Sequence, residues 1–467
     1  MKILLVSVEL APIAPGGGVA QYTMGLARAL CRNGHDVHAA IPDYQFLSPA
    51  NPELLDGITV HRLGGHPYFQ AVSSPREIYR SDNFEPWMSF AKSVVGFLKA
   101  FDWSPDIIHC QDGHTSLVPV YVVNERKTNP STFGGTGTVL TIHNLLEQGK
   151  GSRAFFDSIG VPPELFDSHF EFYGETNCYK AGLMMADRVF TVSRTYAHEI
   201  TASEEFGFGL AGVLGALEPR PVGILNGIDG DSWRLPGAKY DGSDQIDAII
   251  EEKRSKLRTL LPSWFSESHD PVLIFKARWD RQKGIELIAQ CMEEILEHAR
   301  FVFDTWGEPK DASGPHYEIW LALTSLRDRY PLRLAINVPG TTSPEESAAL
   351  YTAGDFLLMP SVYEPCGLAQ MECQRYGCVP IVRRTGGLAD TVSDHRTQSD
   401  TSNGFLFNTM TREGLLSAVR RAVQAHAVPQ MMQSLIANAM RQQNEWHHRM
   451  AEYEALYNAA KPGATVG

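Results

Sequence analysis

The chain lacks any uninterrupted apolar run near the ~20 residues that a membrane-spanning helix needs. Its N-terminus, MKILLVSVELAPIAP, is apolar only briefly and is broken by Glu9, so it reads as a first strand and not as a signal peptide. Positive charge is scarce. There are 41 Lys and Arg against 54 Asp and Glu, and the formal charge of −13 argues against general nucleic-acid binding. Cysteine offers no framework either. The seven (Cys31, Cys110, Cys178, Cys291, Cys366, Cys373, Cys378) are odd in number, scattered, and never paired as Cys-x-x-Cys. That excludes the usual zinc spacing and leaves reduced thiols in a cytoplasmic protein as the simplest expectation. The glycine turn after the first strand, Pro15-Gly16-Gly17-Gly18-Val19, lacks a third glycine at Gln21, and no acidic residue closes the second strand, where Ile41 runs into Pro42. The dinucleotide fingerprint therefore fails, which disfavours a nicotinamide dehydrogenase.

The 467 residues exceed what one hydrophobic core usually fills, so two domains are expected. Short apolar runs alternate with amphipathic stretches throughout, the pattern of an α/β protein with parallel sheets. Strands are predicted at Lys2–Val8, Val37–Ile41, Ile107–Cys110, Val139–His143, Arg188–Val192 and Val222–Leu225 in the first half. In the second half they fall at Val272–Lys276, Arg300–Asp304, Arg333–Asn337, Phe356–Met359 and Val379–Val382. Helices such as Val19–Arg32 and Lys283–Glu297 lie between them. Each half has its own strands and glycine turns, which predicts two Rossmann-like domains, residues 1–235 and 236–440. A Pro- and Gly-rich hinge is expected at Pro236–Asp244, followed by a charged helix at Glu251–Leu261. Residues 441–467 carry Trp446, Tyr453 and Tyr457 on one helical stripe, for which core packing is the default.

The most informative stretch is Ser361 to Asp394. A buried strand ends in Glu364-Pro365-Cys366-Gly367, and the next ends in Arg383-Arg384-Thr385-Gly386-Gly387. In an open parallel sheet, ligands sit beyond the carboxyl ends of the strands. Two successive ends thus present a carboxylate, two guanidiniums and a glycine turn. Glycines let backbone N–H groups approach closely, and helix N-termini favour anions. The set suits a sugar held by Glu364 and a diphosphate held by the loops. After another strand comes Arg278-Trp279-Asp280-Arg281-Gln282-Lys283-Gly284, with the cations that an acidic protein needs for an anionic substrate. In the first half, His109-Cys110-Gln111-Asp112-Gly113-His114, His143-Asn144-Leu145 and Asn226-Gly227 also follow strands.

These motifs resemble the glycogen and starch synthases, retaining glucosyltransferases of GT-B fold, over nearly the whole chain. The resemblance implies two Rossmann-like domains facing each other across a crevice: a starch-synthase-type acceptor-side domain and a nucleotide-sugar donor domain. It implies a final helix crossing back to the first domain. It implies transfer of an α-glucosyl group from a nucleoside-diphosphate glucose, ADP-glucose foremost, to the 4-OH of an α-1,4-glucan. By the same resemblance Asp112, His143, Arg278, Lys283 and Glu364 are the catalytic residues. Gly17, Gly18, Asn226, Arg278, Lys283, Cys366, Gly367, Thr385, Gly386 and Gly387 bind the donor, and Gly307 lies near its base or phosphate. No cofactor and no metal ligand are implied. The partners are a nucleotide sugar and an α-glucan or oligosaccharide, with no nucleic acid and no membrane. Two departures stand out: Pro15 where the family carries lysine, and Gly113 where it carries tryptophan. They leave open another nucleotide sugar such as UDP-glucose, or a small specialised acceptor. A non-catalytic nucleotide-sugar-binding homologue is the alternative of a different class, and Arg278 and Lys283 speak against it. Oligomeric state stays open.

Overall fold

The computed structural model describes all residues except 48–50, 82, 230–247, 250, 252, 254, 257, 258, 260–267, 306, 310, 312, 339–343, 398, 399 and 464–467. The chain divides into two units, one of residues 1–227 and 445–467 and one of residues 228–444. The expected hinge at Pro236–Asp244 lies outside the described residues, as does part of the expected charged helix at Glu251–Leu261.

Aliphatic runs buried on both faces build the sheets. Ile3, Leu4, Leu5 and Val6 are all fully buried, and so are Phe301, Val302 and Phe303 in the other unit. Such runs, without polar alternation, belong in parallel sheets covered by helices on both sides. In the first unit the strands are β1 (Lys2–Val6), β2 (Asp36–Pro42), β3 (Glu53–Leu55), β4 (Ile58–Leu63), β5 (Ile107–Gln111), β6 (Gly137–Ile142), β7 (Lys150–Gly151), β8 (Glu171–Phe172), β9 (Glu175–Asn177), β10 (Arg188–Thr191) and β11 (Val222–Gly223). The second unit holds β12 (Val272–Lys276), β13 (Arg300–Asp304), β14 (Leu334–Ile336), β15 (Phe356–Met359), β16 (Val379–Arg383) and β17 (Phe405–Phe407).

The first sheet runs β11-β10-β6-β5-β1-β2-β4-β3, parallel apart from β3 against β4. The second runs β14-β13-β12-β15-β16-β17 and is parallel throughout. In each sheet the winding reverses once near the start of the unit: between β1 and β5 in the first, between β12 and β15 in the second. Those reversals are the topological switch points at which open α/β sheets bind ligands.

Several strands lie beyond the sequence expectation. β4, reading ITVHRL, carries polar His61 and Arg62 in a run that shows no clean apolar block, and it finds its place only by pairing with β2. β17 is three residues long. The small antiparallel sheet β7-β9-β8 is built of two- and three-residue pieces too short to show a period.

The C-terminal segment belongs to the first unit. It is a short 3-10 turn, Trp446–Arg449, leading into the helix Met450–Ala460. Its aromatic stripe is seated in the core. The Tyr453 hydroxyl lies 3.0 Å from that of Tyr22, and Tyr457 Oη lies 2.9 Å from His109 Nδ1. Trp446 packs so closely on the helix Gly18–Arg32 that a Cβ at Gly25 would fall 2.1 Å from its indole nitrogen. His109 is fully buried, and burial lowers its pKa to about 3, so the ring is neutral and needs its partners, Tyr457 and Thr141. Tyr457→Phe should leave one ring nitrogen unsatisfied. We expect a loss of about 1–3 kcal/mol in urea unfolding followed by first-unit fluorescence; no loss would show that the segment docks without this bond.

Candidate active site

In the first unit the residues beyond β1, β5 and β6 converge. Asp112 follows β5 directly with a left-handed backbone, φ 60°. Its side chain does not cap the turn that follows it. Instead Oδ1 accepts hydrogen bonds from the backbone N–H of His143 (2.8 Å) and Asn144 (2.9 Å) and from the Tyr179 hydroxyl (3.1 Å). The carboxyl thus ties the β5 end to the β6 end. Burial raises its pKa to about 7, the three donors working against that. His143 Nε2 lies 2.9 Å from Gln111 Oε1, and the Tyr22 ring stands edge-on at 4.4 Å. Burial lowers the His143 pKa to about 3, so this imidazole is neutral.

Gly113 is needed for space. A Cβ there would sit 2.2 Å from the Glu147 carbonyl oxygen and 3.0 Å from the Tyr179 ring. The room that a larger side chain would take at this position is filled by the loop after β6. Gly17 and Gly18 open the helix Gly18–Arg32. Asn226 is buried near the end of the first unit, and its Oδ1 has no hydrogen-bond partner.

The second unit assembles the other set. Lys283 Nζ lies 2.7 Å from Glu364 Oε2, and the Ser361 hydroxyl donates to the same oxygen at 2.9 Å. Glu364 is 6% exposed. The loop after β12 is locked to the loop after β15: Val362 N donates to the Gln282 carbonyl at 2.8 Å, and Gln282 Nε2 donates to the Tyr363 carbonyl at 3.0 Å. Gly284, φ 68°, ends the 3-10 turn Arg281–Lys283, and the following helix begins at Ile285. A Cβ on Gly284 would meet the Pro360 carbonyl at 2.1 Å.

The Glu364-Pro365-Cys366 turn and the Thr385-Gly386-Gly387 turn meet backbone to backbone. Gly387 N donates to the Glu364 carbonyl at 3.1 Å. A Cβ on Gly386 or Gly387 would fall 1.9 Å from Glu364 O or 2.1 Å from Cys366 O. Thr385 and Cys366 are buried beside this contact, and Gly367 adopts φ 75°. These residues build the crossing on which the Glu364 side chain stands.

The expected cations separate. Arg278 is largely exposed and pairs with Asp280 at 2.9 Å, while Lys283 pairs with Glu364. Arg383 and Arg384 do not form a pair in one site. Arg383 Nη1 donates to the Val362 carbonyl, whereas exposed Arg384 reaches Asn408 at 3.2 Å. Gly307 spends its carbonyl on Trp279, Thr305 and Asn337, at 3.0, 3.1 and 3.0 Å. Among the described residues no cluster of three or more His, Cys, Asp or Glu is arranged to hold a metal, and no helix is long and apolar enough to cross a membrane. The sequence contains one Asp-x-Asp spacing, Asp229-Gly230-Asp231, of which Gly230 and Asp231 lie outside the described residues.

Sequence reasoning missed Glu9, Gln111, Tyr179 and Ser361. Glu9 left a signal as a charge inside an apolar run, and Gln111 and Ser361 lay inside the quoted motifs without an assigned role. Gln111, Tyr179 and Ser361 contact candidate residues through pairings that spacing does not reveal.

Two Rossmann-like units, with a Lys–Glu pair and a glycine turn at one switch point and an Asp–His pair at the other, define a glycosyltransferase of GT-B fold. Comparison with known proteins agrees. Residues 2–216 match the starch synthase catalytic domain, and residues 259–442 match glycosyl transferases group 1. A glycogen synthase of Geotalea daltonii is 32% identical over 491 residues, covering 98% of each chain. Glycogen synthase 2 of Geobacter sulfurreducens is 32% identical over 496 residues, covering 98% of this chain and 99% of its own. The catalytic domain of starch synthase IV from Arabidopsis thaliana, bound to ADP and acarbose, superposes with a TM-score of 0.84 at 26% identity over 98% of this chain and 99% of that one. The chain belongs to the glycogen and starch synthase family and is a glycosyltransferase.

The raised Asp112 pKa gives a test of the first cluster. Its ordinary value is 3.8 and its folded value about 7, so between them the fold keeps a proton that the unfolded chain releases. The stability this proton confers is present at low pH and is lost as pH rises through that window. Asp112→Asn keeps the Oδ1 acceptor and removes the titration. Its melting temperature relative to wild type should climb from about pH 5 to about pH 8. A flat difference would show that Asp112 is ionised throughout.

Proposed function

We propose that this protein transfers an α-glucosyl group, with retention, from ADP-glucose to the non-reducing 4-OH of an α-1,4-glucan, in the cytoplasm and without metal or cofactor. The observation that carries this reading is the Lys283–Glu364 pair at the second switch point, clasped by the Thr385-Gly386-Gly387 turn. A nucleotide sugar breaks its glycosidic bond by building charge on the leaving diphosphate. A lysine held beside that position stabilises the charge as it forms. Glu364 Oε2 is shared by Lys283 and Ser361, and Oε1 takes part in neither bond, which suits it to sugar hydroxyls. Arg278 would exchange Asp280 for phosphate. Asp112 and neutral His143 would orient the reacting carbon and the acceptor, and neither would serve as a firm nucleophile. The relative bound to ADP and acarbose supports the pairing of a nucleoside diphosphate with an oligosaccharide.

A second reading keeps the chemistry and changes a substrate: another nucleotide sugar, or a small acceptor. What favours it is local. Pro15 places no cation at the first glycine turn, and the Glu147 carbonyl closes the space beside Gly113.

The test is release of nucleoside diphosphate from ADP-glucose and UDP-glucose, each with and without glycogen or maltooligosaccharide. Glucan-dependent ADP release is expected, falling by about 10²–10³ in Lys283→Ala. Turnover with UDP-glucose alone, or with no glucan, would move the assignment to the second reading. Full activity in Lys283→Ala would remove the lysine from the mechanism.

A further inference from the structure

Glu9 lies three residues past the end of β1, the strand that pairs with β5, whose end delivers Asp112. It is 1% exposed, yet its Oε2 has no hydrogen-bond partner. Buried polar atoms are nearly always satisfied, so a carboxyl oxygen left without a partner calls for an explanation. The other contacts are well provided. The backbone N–H groups of Gly17 and Ala20, at the start of the helix Gly18–Arg32, and the hydroxyl of Tyr79 stand around the carboxyl.

The direction of the free oxygen is set by the glycine turn. A Cβ on Gly16 would fall 2.4 Å from Oε2, and one on Gly17 would fall 3.4 Å from Oε1. The carboxyl therefore lies directly beneath an exposed turn that carries no side chain to cover it. Gly16 has no left-handed backbone that would require glycine, so its lack of a side chain is a matter of space over Glu9.

Tyr79 joins this carboxyl to a cavity of about 220 Å³. Its ring packs 5.1 Å from His114, and Trp87 stands edge-on to the same histidine at 4.9 Å. All three line the cavity, with Glu147 and Gln148. Burial lowers the His114 pKa to about 4, so the ring is neutral. The volume lies below the ~300–1,000 Å³ of drug-sized sites and suits one small ring. Aromatic walls set among hydrogen-bonding groups of mixed charge, Ser81, Asn83, Glu147, Gln148 and Lys150, suit a polyol.

We propose that Glu9 is a substrate-contacting, specificity-determining residue whose free oxygen hydrogen-bonds a hydroxyl of the acceptor glucan, where a sugar ring in the Tyr79–Trp87–His114 cavity continues past Gly16. This rests on the glucan reading above and deepens it. Burial, reinforced by Asp112, also raises the Glu9 pKa to about 7, so near neutrality the group can accept or donate.

Two variants test this. Glu9→Gln changes the hydrogen-bonding pattern at constant shape. Gly16→Ala keeps Glu9 and places a methyl group against Oε2, so it serves even if Glu9→Gln fails to fold. Both should raise the KM for maltotriose about tenfold, leave the KM for ADP-glucose within about twofold, and weaken maltotriose binding measured calorimetrically without donor. The proposal is overturned if both variants bind maltotriose like wild type, if only melting temperature or the ADP-glucose KM moves, or if wild type binds no maltotriose. Absence of ADP release by wild type with any glucan would sink the assigned reaction instead, while the binding comparison would still decide the role of Glu9.

Discussion

A parallel strand buried on both faces can offer chemistry only beyond its ends. That constraint organises this molecule. With β1, β5, β12 and β15 sealed by helices, the polar residues of each unit are pushed to loops at the carboxyl edge, and the single reversal of winding in each sheet splays two of those loops apart. Asp112 and the first glycine turn stand at one reversal, Lys283 and Glu364 at the other.

The loops hold their shape by backbone contact that only glycine permits. Gly284 lies against Pro360, Gly386 and Gly387 lie against the Glu364–Cys366 turn, and Gly113 lies against Glu147. Each approach is too close for any Cβ, so each glycine is a spacing element of the site. The same logic makes the first turn unusual. Its backbone amides at Gly17 and Ala20 face the Glu9 carboxyl, a group supplied by the chain itself, and Pro15 adds no cation. In the second unit the cations pair with carboxylates of the chain: Lys283 with Glu364, Arg278 with Asp280, and Lys276 with Asp304 in a pair that is almost fully buried. A buried cation without such a partner would be costly, so the pairing is what lets these lysines lie inside the fold.

The first cluster works by neutrality. His143 and His109 are stripped of their charge by burial, and Asp112 gains affinity for its proton, so groups that would carry charge in water act here through hydrogen-bond direction.

Much of the fold was legible in the sequence. Apolar runs of four to six residues announced most strands of both sheets, because local hydrophobicity acts over a few neighbours; Glu364 was picked out by the strand end and glycine turn around it, whereas Lys283, Asp112 and His143 were named through the family resemblance of the motifs that follow their strands. β4 and β17 were not legible: one is held by its partner strand and the other is too short to show a period. The separation of Arg383 from Arg384, the resting of Arg278 on Asp280, and the lodging of Glu9 beneath Gly16 were likewise decided by the tertiary structure alone. A side chain's charge is written in the sequence, but its partner is chosen by which strand ends the sheet brings together, and that choice is made across tens to hundreds of residues.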